Sequence, residues 1–204
     1  MFGSINMDLI VCTPHLPQSG ETVMGKSFET IPGGKGANQA VAVAQQDVPV
    51  QIVGRVGNDT FGQTLCAGLK AYGVGCDRLL FDANTSSGVA LIEVDATGEN
   101  HIVVVPGANG NVGAEDLQAL EEALKTTRIL LLQLEIPLES AIAAIRMAHE
   151  MGVRVILDPA PAKSLPRDVY PSIDVLTPNQ MEAEQLTGLS ITSVEMAIAA
   201  GRML

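Results

Sequence analysis

Residues 128–158 read RILLLQLEIPLESAIAAIRMAHEMGVRVILD. The run from Arg128 to Leu134 has the apolar continuity of a strand buried on both faces. Leu138, Ile142, Ile145 and Met151 then recur at helical spacing, which predicts a helix over 138–151. Val153 to Leu157 is a second apolar strand. Strand, helix and strand in that order, with unbroken apolar strands, predict an α/β fold built on a parallel sheet with helices on both faces.

The same rhythm extends outward. Towards the C-terminus, Ile173–Leu176 reads as a further strand, and short helices begin at Asn179 and near Ser193. The last helix reaches Leu204 with no glycine cap, so a further strand is expected to follow. Towards the N-terminus lies a helix over 114–124. Before it, Gly88–Val94 and Asn100–Val105 flank Asp95, Thr97 and Gly98, the pattern of a β-hairpin. Asn58-Asp59 is an N-cap for a helix reaching about Tyr72, and Gln51–Val56 is a strand. Pro32-Gly33-Gly34-Lys35-Gly36 opens a helix from about Ala37 to Gln46. Thr13–Thr30, with Pro14, Pro17 and Gly20, reads as irregular or edge-like, and Phe2–Val11 reads as the strand that opens the sheet.

Composition narrows the function. The chain has 204 residues, enough for one domain with at most a small appendage. Its formal net charge is −11 and no Lys/Arg cluster occurs, which argues against nucleic acid and anionic membrane as partners. Small anions remain open as ligands, because backbone amides bind them without net positive charge. Cys12, Cys66 and Cys76 show no CxxC spacing, which points to a reducing, cytoplasmic setting rather than a disulfide or zinc framework. No signal peptide or membrane-spanning run is expected.

Open parallel sheets bind ligands at the C-terminal ends of their strands. The candidates there are Asn6 and Asp8, the segment Gly33–Asn38, Glu135, Asp158, and Asn179 with Glu182. Asn6 and Asp8 are two apart and share one face of a strand. They fit adjacent hydroxyls of a polyol, or Asp8 simply caps a turn. Gly34, Gly36 and the helix behind them offer either free N–H groups for a ligand or close helix–strand packing. The segment is neither a Walker A loop nor GxGxxG, which disfavours a dinucleotide oxidoreductase. A carboxylate at the end of a buried strand needs a partner, so Glu135 faces either a ligand hydroxyl or a fixed donor. Asn179 and Glu182 fit a capping box better than a nucleotide and metal site on spacing alone.

In order along the chain, the segments Gly3–Asp8, Gly20-Glu21-Thr22, Gly33–Ala40, Gly88–Ile92, Pro106–Asn109, Gln133–Glu135, Pro159–Ala162 and Thr177–Asn179 with Glu182 resemble the PfkB family of carbohydrate kinases. Within it, they look most like its ribokinases. The resemblance implies a doubly wound, mostly parallel sheet flanked by helices, with a small β-sheet lid from residues 12–31 and 86–105. It implies ATP-dependent phosphorylation of D-ribose to ribose 5-phosphate, with deoxyribose or another sugar as the alternative. Asn6, Asp8, Gly34, Lys35, Asn38 and Glu135 would bind sugar hydroxyls. Met7, Gly36 and Ala37 would line the same pocket, and Ala90 and Ile102 would reach it from the lid. Asn179 would face ATP and Glu182 would hold Mg2+ through water. Asp158 stands where many ribokinases carry Asn and receives no role. A K+ site, the Gly-Ala-Gly-Asp segment and its catalytic Asp are expected beyond Leu204, leaving residues 1–204 inactive on their own. A homodimer through the lid is also implied.

Overall fold

The computed structural model describes residues 1–204. Two sheets organise it. The main sheet contains β3 (Gln51–Gly57), β4 (Gly75–Asp82), β7 (Ile129–Leu132), β8 (Arg154–Leu157) and β9 (Val175–Leu176). Phe2 bridges Val53 on one side and Leu132 on the other, both in parallel sense. The order across the sheet is therefore β4-β3-Phe2-β7-β8-β9, parallel throughout.

The second sheet is four-stranded, in the order β2-β1-β5-β6. It comprises β1 (Asn6–Cys12), β2 (Ser27–Gly33), β5 (Gly88–Val94) and β6 (Asn100–Val105). The expected hairpin is present as the antiparallel pair β5–β6. One expectation is corrected here. Phe2–Val11 is not one strand: Phe2 lies in the main sheet, and β1 pairs with β2 and β5 in the other. Of the two readings of Thr13–Thr30, the edge-like one holds at its end, because Ser27–Gly33 pairs with β1 along its whole length as an edge strand. β4 and the 3-10 turn Gly107–Asn111 are further elements that the apolar pattern did not announce.

Two core clusters pack the main sheet. Leu130, Leu132, Val155 and Leu157 face α3 (Ala114–Leu124) and α4 (Leu138–Glu150), with Leu120, Leu124, Ala141, Ala144 and Ile145 filling the gap. Ile52, Val56 and Leu79 face α1 (Lys35–Ala44) and α2 (Thr60–Ala71) through Ala37, Ala40, Leu65 and Leu69. Alternation along β3 sends Ile52 to one cluster and Val53 to the other. On the α1 side, cover thins towards the far edge: Ile156 is half-buried and Val175 exposed.

Polar bonds tie the helices in place. Arg55 of β3 reaches the first turn of α3, with Nη2 donating to Asp116 Oδ2 and Glu115 Oε2, both at 2.9 Å. Asp116 is wholly buried and also accepts from Gly113 N at 2.9 Å. Asp59 caps α2 by accepting from Gly62 N at 2.7 Å. It also holds Ser87, just before β5, through Ser87 N at 2.8 Å and Oγ at 2.7 Å. Two C-terminal helices, α5 (Gln180–Thr187) and α6 (Val194–Gly201), begin at the expected caps Asn179 and Ser193. No helix is long and apolar enough to cross a membrane.

Candidate functional site

From the Phe2 position the chain crosses to β3 and β4 on one side, and later to β7, β8 and β9 on the other. That reversal opens a crevice beyond the strand ends. Residues after Phe2 and after β7 meet there. Ser4 Oγ donates to Glu135 Oε2 at 2.6 Å, and the backbone N–H of Lys35 donates to the same oxygen at 3.3 Å. The Lys35 ammonium stands 4.0 Å from Glu135 Oε1. Glu135 thus has fixed donors within the chain, and its Oε1 is left towards the crevice with the lysine.

The glycines before α1 owe their presence to close packing. Gly34 has φ +88°, and a Cβ there would stand 2.7 Å from Asn6 N and 2.9 Å from both Ile5 Cα and Ser4 O. The start of α1 therefore presses directly on the Ser4–Asn6 backbone. Its first amides are not free. Beyond the Lys35 bond, Gly36 N donates to Ser4 Oγ at 3.5 Å and Ala37 N to Ser4 O at 3.0 Å. Of the two readings of this segment, these bonds fit close helix–strand packing. The positive end of the α1 dipole faces the protein's own carboxylate, Glu135.

Asp8 lies on the same face of β1 as Asn6, and its carboxylate has no hydrogen-bond partner within the chain. Burial, and then the charge of Glu135, raise its pKa above the usual aspartate range. Asp158, at the end of β8, accepts from Gln39 Nε2 at 2.9 Å, and Gln39 Oε1 in turn accepts from Gln133 Nε2. Burial raises the Asp158 pKa, the charge of Glu182 adds to it, and Lys35 opposes it. The charge of Glu135 therefore reaches both Asp8 and Asp158, and those of Lys35 and Glu182 reach Asp158. Gln133 is fully buried and its Oε1 has no partner.

The other sequence-derived residues fall in different places. Asn6 is buried, with its amide oxygen held by Asn109 Nδ2 at 2.8 Å. Met7 and Ala37 belong to the core cluster between α1 and α2, and alternation puts Met7 on the opposite face of β1 from Asp8. Asn38 is exposed on α1. Ala90 is buried and paired with Asp8 across β1–β5, so the two share a face. Ile102 is 54% exposed on β6, two strands from β1, on that same face. Asn179 and Glu182 form the capping box that their spacing favoured: Glu182 N donates to Asn179 Oδ1 at 2.9 Å and Asn179 N to Glu182 Oε2 at 2.8 Å. No three His, Cys, Asp or Glu side chains gather closely enough to hold a metal ion. Glu182 keeps only Oε1 outside the box, which fits contact with a hydrated Mg2+ through water and not a direct metal cage.

Ser4, Gln39 and Asn109 carry much of this geometry and received no individual role from the sequence. Their one signal was position: a small polar residue at a strand end, an amide one helical turn past a glycine-rich start, and an asparagine closing Pro106–Asn109.

Comparison with known proteins follows the same lines. A family model described as pfkB family carbohydrate kinase matches residues 1–204. The ribokinase of Schizosaccharomyces pombe is 45% identical over 189 residues, covering 90% of this chain and 59% of the relative. The deoxyribokinase of Salmonella typhi is 37% identical over 205 residues, covering 100% of this chain and 67% of that protein. The structure of Arabidopsis thaliana ribokinase complexed with ribose and ATP matches at TM-score 0.88 and 34% identity, over 99% of this chain and 66% of that one. The fold is thus the ribokinase-like α/β fold. The chain spans about three-fifths of the length of the S. pombe relative, 59%.

Proposed function

The chain belongs to the pfkB family of carbohydrate kinases, and we propose on that premise that the whole protein is an ATP-dependent ribokinase whose sugar site is built by residues 1–204. The carrying observation is Asp8. It is a half-buried carboxylate with a raised pKa and no partner in the chain, on the same strand face as Asn6 and within range of the Glu135 charge. A buried carboxylate lacking a donor is costly. A sugar hydroxyl supplies that donor. A polyol also suits the neighbours, since Lys35 gives a hydrogen-bond donor and Glu135 Oε1 an acceptor for adjacent hydroxyls. Ala90, on the Asp8 face, and Ile102 farther across the same sheet give the apolar cover that excludes water as the lid comes down.

In this reading ATP approaches from the α5 side, near Asn179, with Glu182 touching the hydration shell of Mg2+. When bound, Mg2+ offsets charge on the transferring phosphoryl group. Proton removal from the sugar hydroxyl belongs to the Asp of a Gly-Ala-Gly-Asp segment. No such run occurs in residues 1–204. The protein works in the cytoplasm with K+ as a further cofactor. It pairs as a homodimer through the four-stranded sheet, where Phe28, Leu91 and Val103 are exposed on the face opposite Asp8.

The test is calorimetric titration of the 204-residue chain with D-ribose, repeated on Asp8→Ala. Binding lost in the variant supports the assignment. Equal heats for both proteins, or none for either, refute it. Titration with 2-deoxy-D-ribose separates ribose from the deoxyribose alternative, which the Salmonella relative keeps in view.

A further inference from the structure

Four strands leave the main body of the molecule along one line. Asn6 pairs with Gly33 on one side and Gly88 on the other, and Val89 pairs with Val105 at the end of β6. Asn109 sits under that line, 1% exposed, on the 3-10 turn Gly107–Asn111. Its Oδ1 accepts from Ile5 N at 2.9 Å. Its Nδ2 donates to Ile5 O at 3.0 Å, to Pro106 O at 3.1 Å and to Asn6 Oδ1 at 2.8 Å. Gly88 makes the approach feasible: a Cβ there would stand 2.3 Å from both Asn109 Nδ2 and Asn6 Oδ1.

These bonds fix which way each amide points. A backbone N–H only donates, so the Asn109 atom facing Ile5 N is the oxygen. Backbone carbonyls only accept, so the atom facing Ile5 O and Pro106 O is the nitrogen. Asn6 must then turn its oxygen inward to meet that nitrogen. Its own Nδ2, which makes no hydrogen bond in the chain, is left as a donor beside the Asp8 carboxylate.

We propose that Asn109 is a positioning residue: by pinning the Asn6 amide oxygen, it commits Asn6 to present a hydrogen-bond donor next to the Asp8 acceptor. One hydroxyl can then accept from Asn6 and donate to Asp8 at once. A site paired in this way rejects an analogue lacking that hydroxyl far more strongly than an apolar pocket does. This inference rests on the sugar-binding reading of Asp8.

The experiment is side-chain amide NMR on the 15N-labelled 204-residue chain, with D-ribose as probe. Asn6 and Asn109 resonances are assigned by their loss in Asn6→Ser and Asn109→Ser. In the free protein the hydrogen-bonded Asn109 NH2 exchanges with solvent more slowly than the Asn6 NH2, which has no acceptor. A protected Asn6 NH2 beside a freely exchanging Asn109 NH2 overturns the proposal without any ligand. On adding D-ribose, the Asn6 NH2 shifts together with the Gly34 and Lys35 amides. If those backbone amides move while the Asn6 NH2 stays still, the positioning role fails but sugar binding stands. If nothing moves, the sugar-binding reading itself fails. Asn109→Asp keeps the acceptor for Ile5 N and removes the donors, so the Asn6 amide loses its anchor. D-ribose affinity then falls roughly tenfold or more, the worth of one such hydrogen bond. A folded Asn109→Asp chain with unchanged affinity refutes the proposal. If that variant does not fold, the exchange pattern of the unsubstituted chain decides.

Discussion

Replacing Gly34 with alanine tests how closely the start of α1 presses on the Ser4–Asn6 backbone. Two costs apply. Gly34 has φ +88°, and a side chain held in such a sparsely populated region costs about 1–3 kcal/mol. The new methyl would also lie within 3 Å of Asn6 N, Ile5 Cα and Ser4 O. All three are backbone atoms, so no rotamer change relieves the clash, and overpacking of this kind costs about 1–3 kcal/mol more. A central total of about 4 kcal/mol lowers Tm by roughly 8–16 °C in a chain of this size. Gly73 is the control. Its φ is +84°, but nothing lies within 4 Å of a built Cβ. Gly73→Ala therefore meets the strain alone, about 2 kcal/mol or roughly 4–8 °C. Differential scanning calorimetry of both variants beside the parent gives the comparison. Should the two variants melt within about 2 °C of each other, the packing contribution is absent and the account of Gly34 is wrong.

Three further outcomes are expected. Arg55→Met leaves Asp116 charged, wholly buried and without its cation, which costs about 3–5 kcal/mol by urea denaturation; a loss near zero would mean that the pair contributes nothing. Because burial and then Glu135 raise the Asp8 pKa, the folded chain holds that proton more tightly than the unfolded chain. Stability from this group therefore falls as pH rises through the raised value, and the ionised form is a net cost near neutrality. Asp8→Asn accordingly raises Tm at neutral pH, with a gain that shrinks as pH drops towards the ordinary aspartate range; a gain that grows on acidification contradicts the sign. Asn179→Ala removes the cap that accepts from Glu182 N, costs about 1 kcal/mol and lowers Tm by roughly 2–4 °C, with α5 fraying first in hydrogen exchange.

Residues 128–157 revealed the fold because their strands are buried on both faces, so their apolar runs are unbroken. Edge strands left weaker marks. β4 lies at the outer edge of the main sheet, and its Asp77 and Arg78 interrupt the apolar pattern. β2 is an edge of the small sheet, exposed over Ser27–Pro32 and carrying Pro32, so neither composition nor alternation marks it as a strand. The break at Gly3–Ile5 is hidden for a different reason. Ile5, Met7 and Leu9 continue an alternation that suits either sheet, and only the packing of α1 decides where the chain turns. Of the site, Asp8 and Glu135 stood out as carboxylates after apolar strand runs, whereas Lys35 was marked only by the glycine-rich helix start and the family resemblance. The occupied amides of α1 were not legible, because Ser4 and Glu135, which occupy them, lie far apart in the sequence.

Those separations set the order in which the molecule can be completed. Ser4 meets Glu135 across 131 residues, Gln39 meets Asp158 across 119, and Ile5 meets Asn109 across 104. Closing such spans takes entropy that only the assembled sheet repays, and topologies ruled by distant contacts fold slowly. During synthesis the N-terminal segment that will carry Asn6 and Asp8 leaves the ribosome long before its partners exist. Met7 can be covered once α1 and α2 have emerged, but Phe2, which bridges Val53 and Leu132, must wait for the strand ending at Leu132. The crevice is thus a late product of folding, and a ligand that needs all of its walls recognises only chains that have finished.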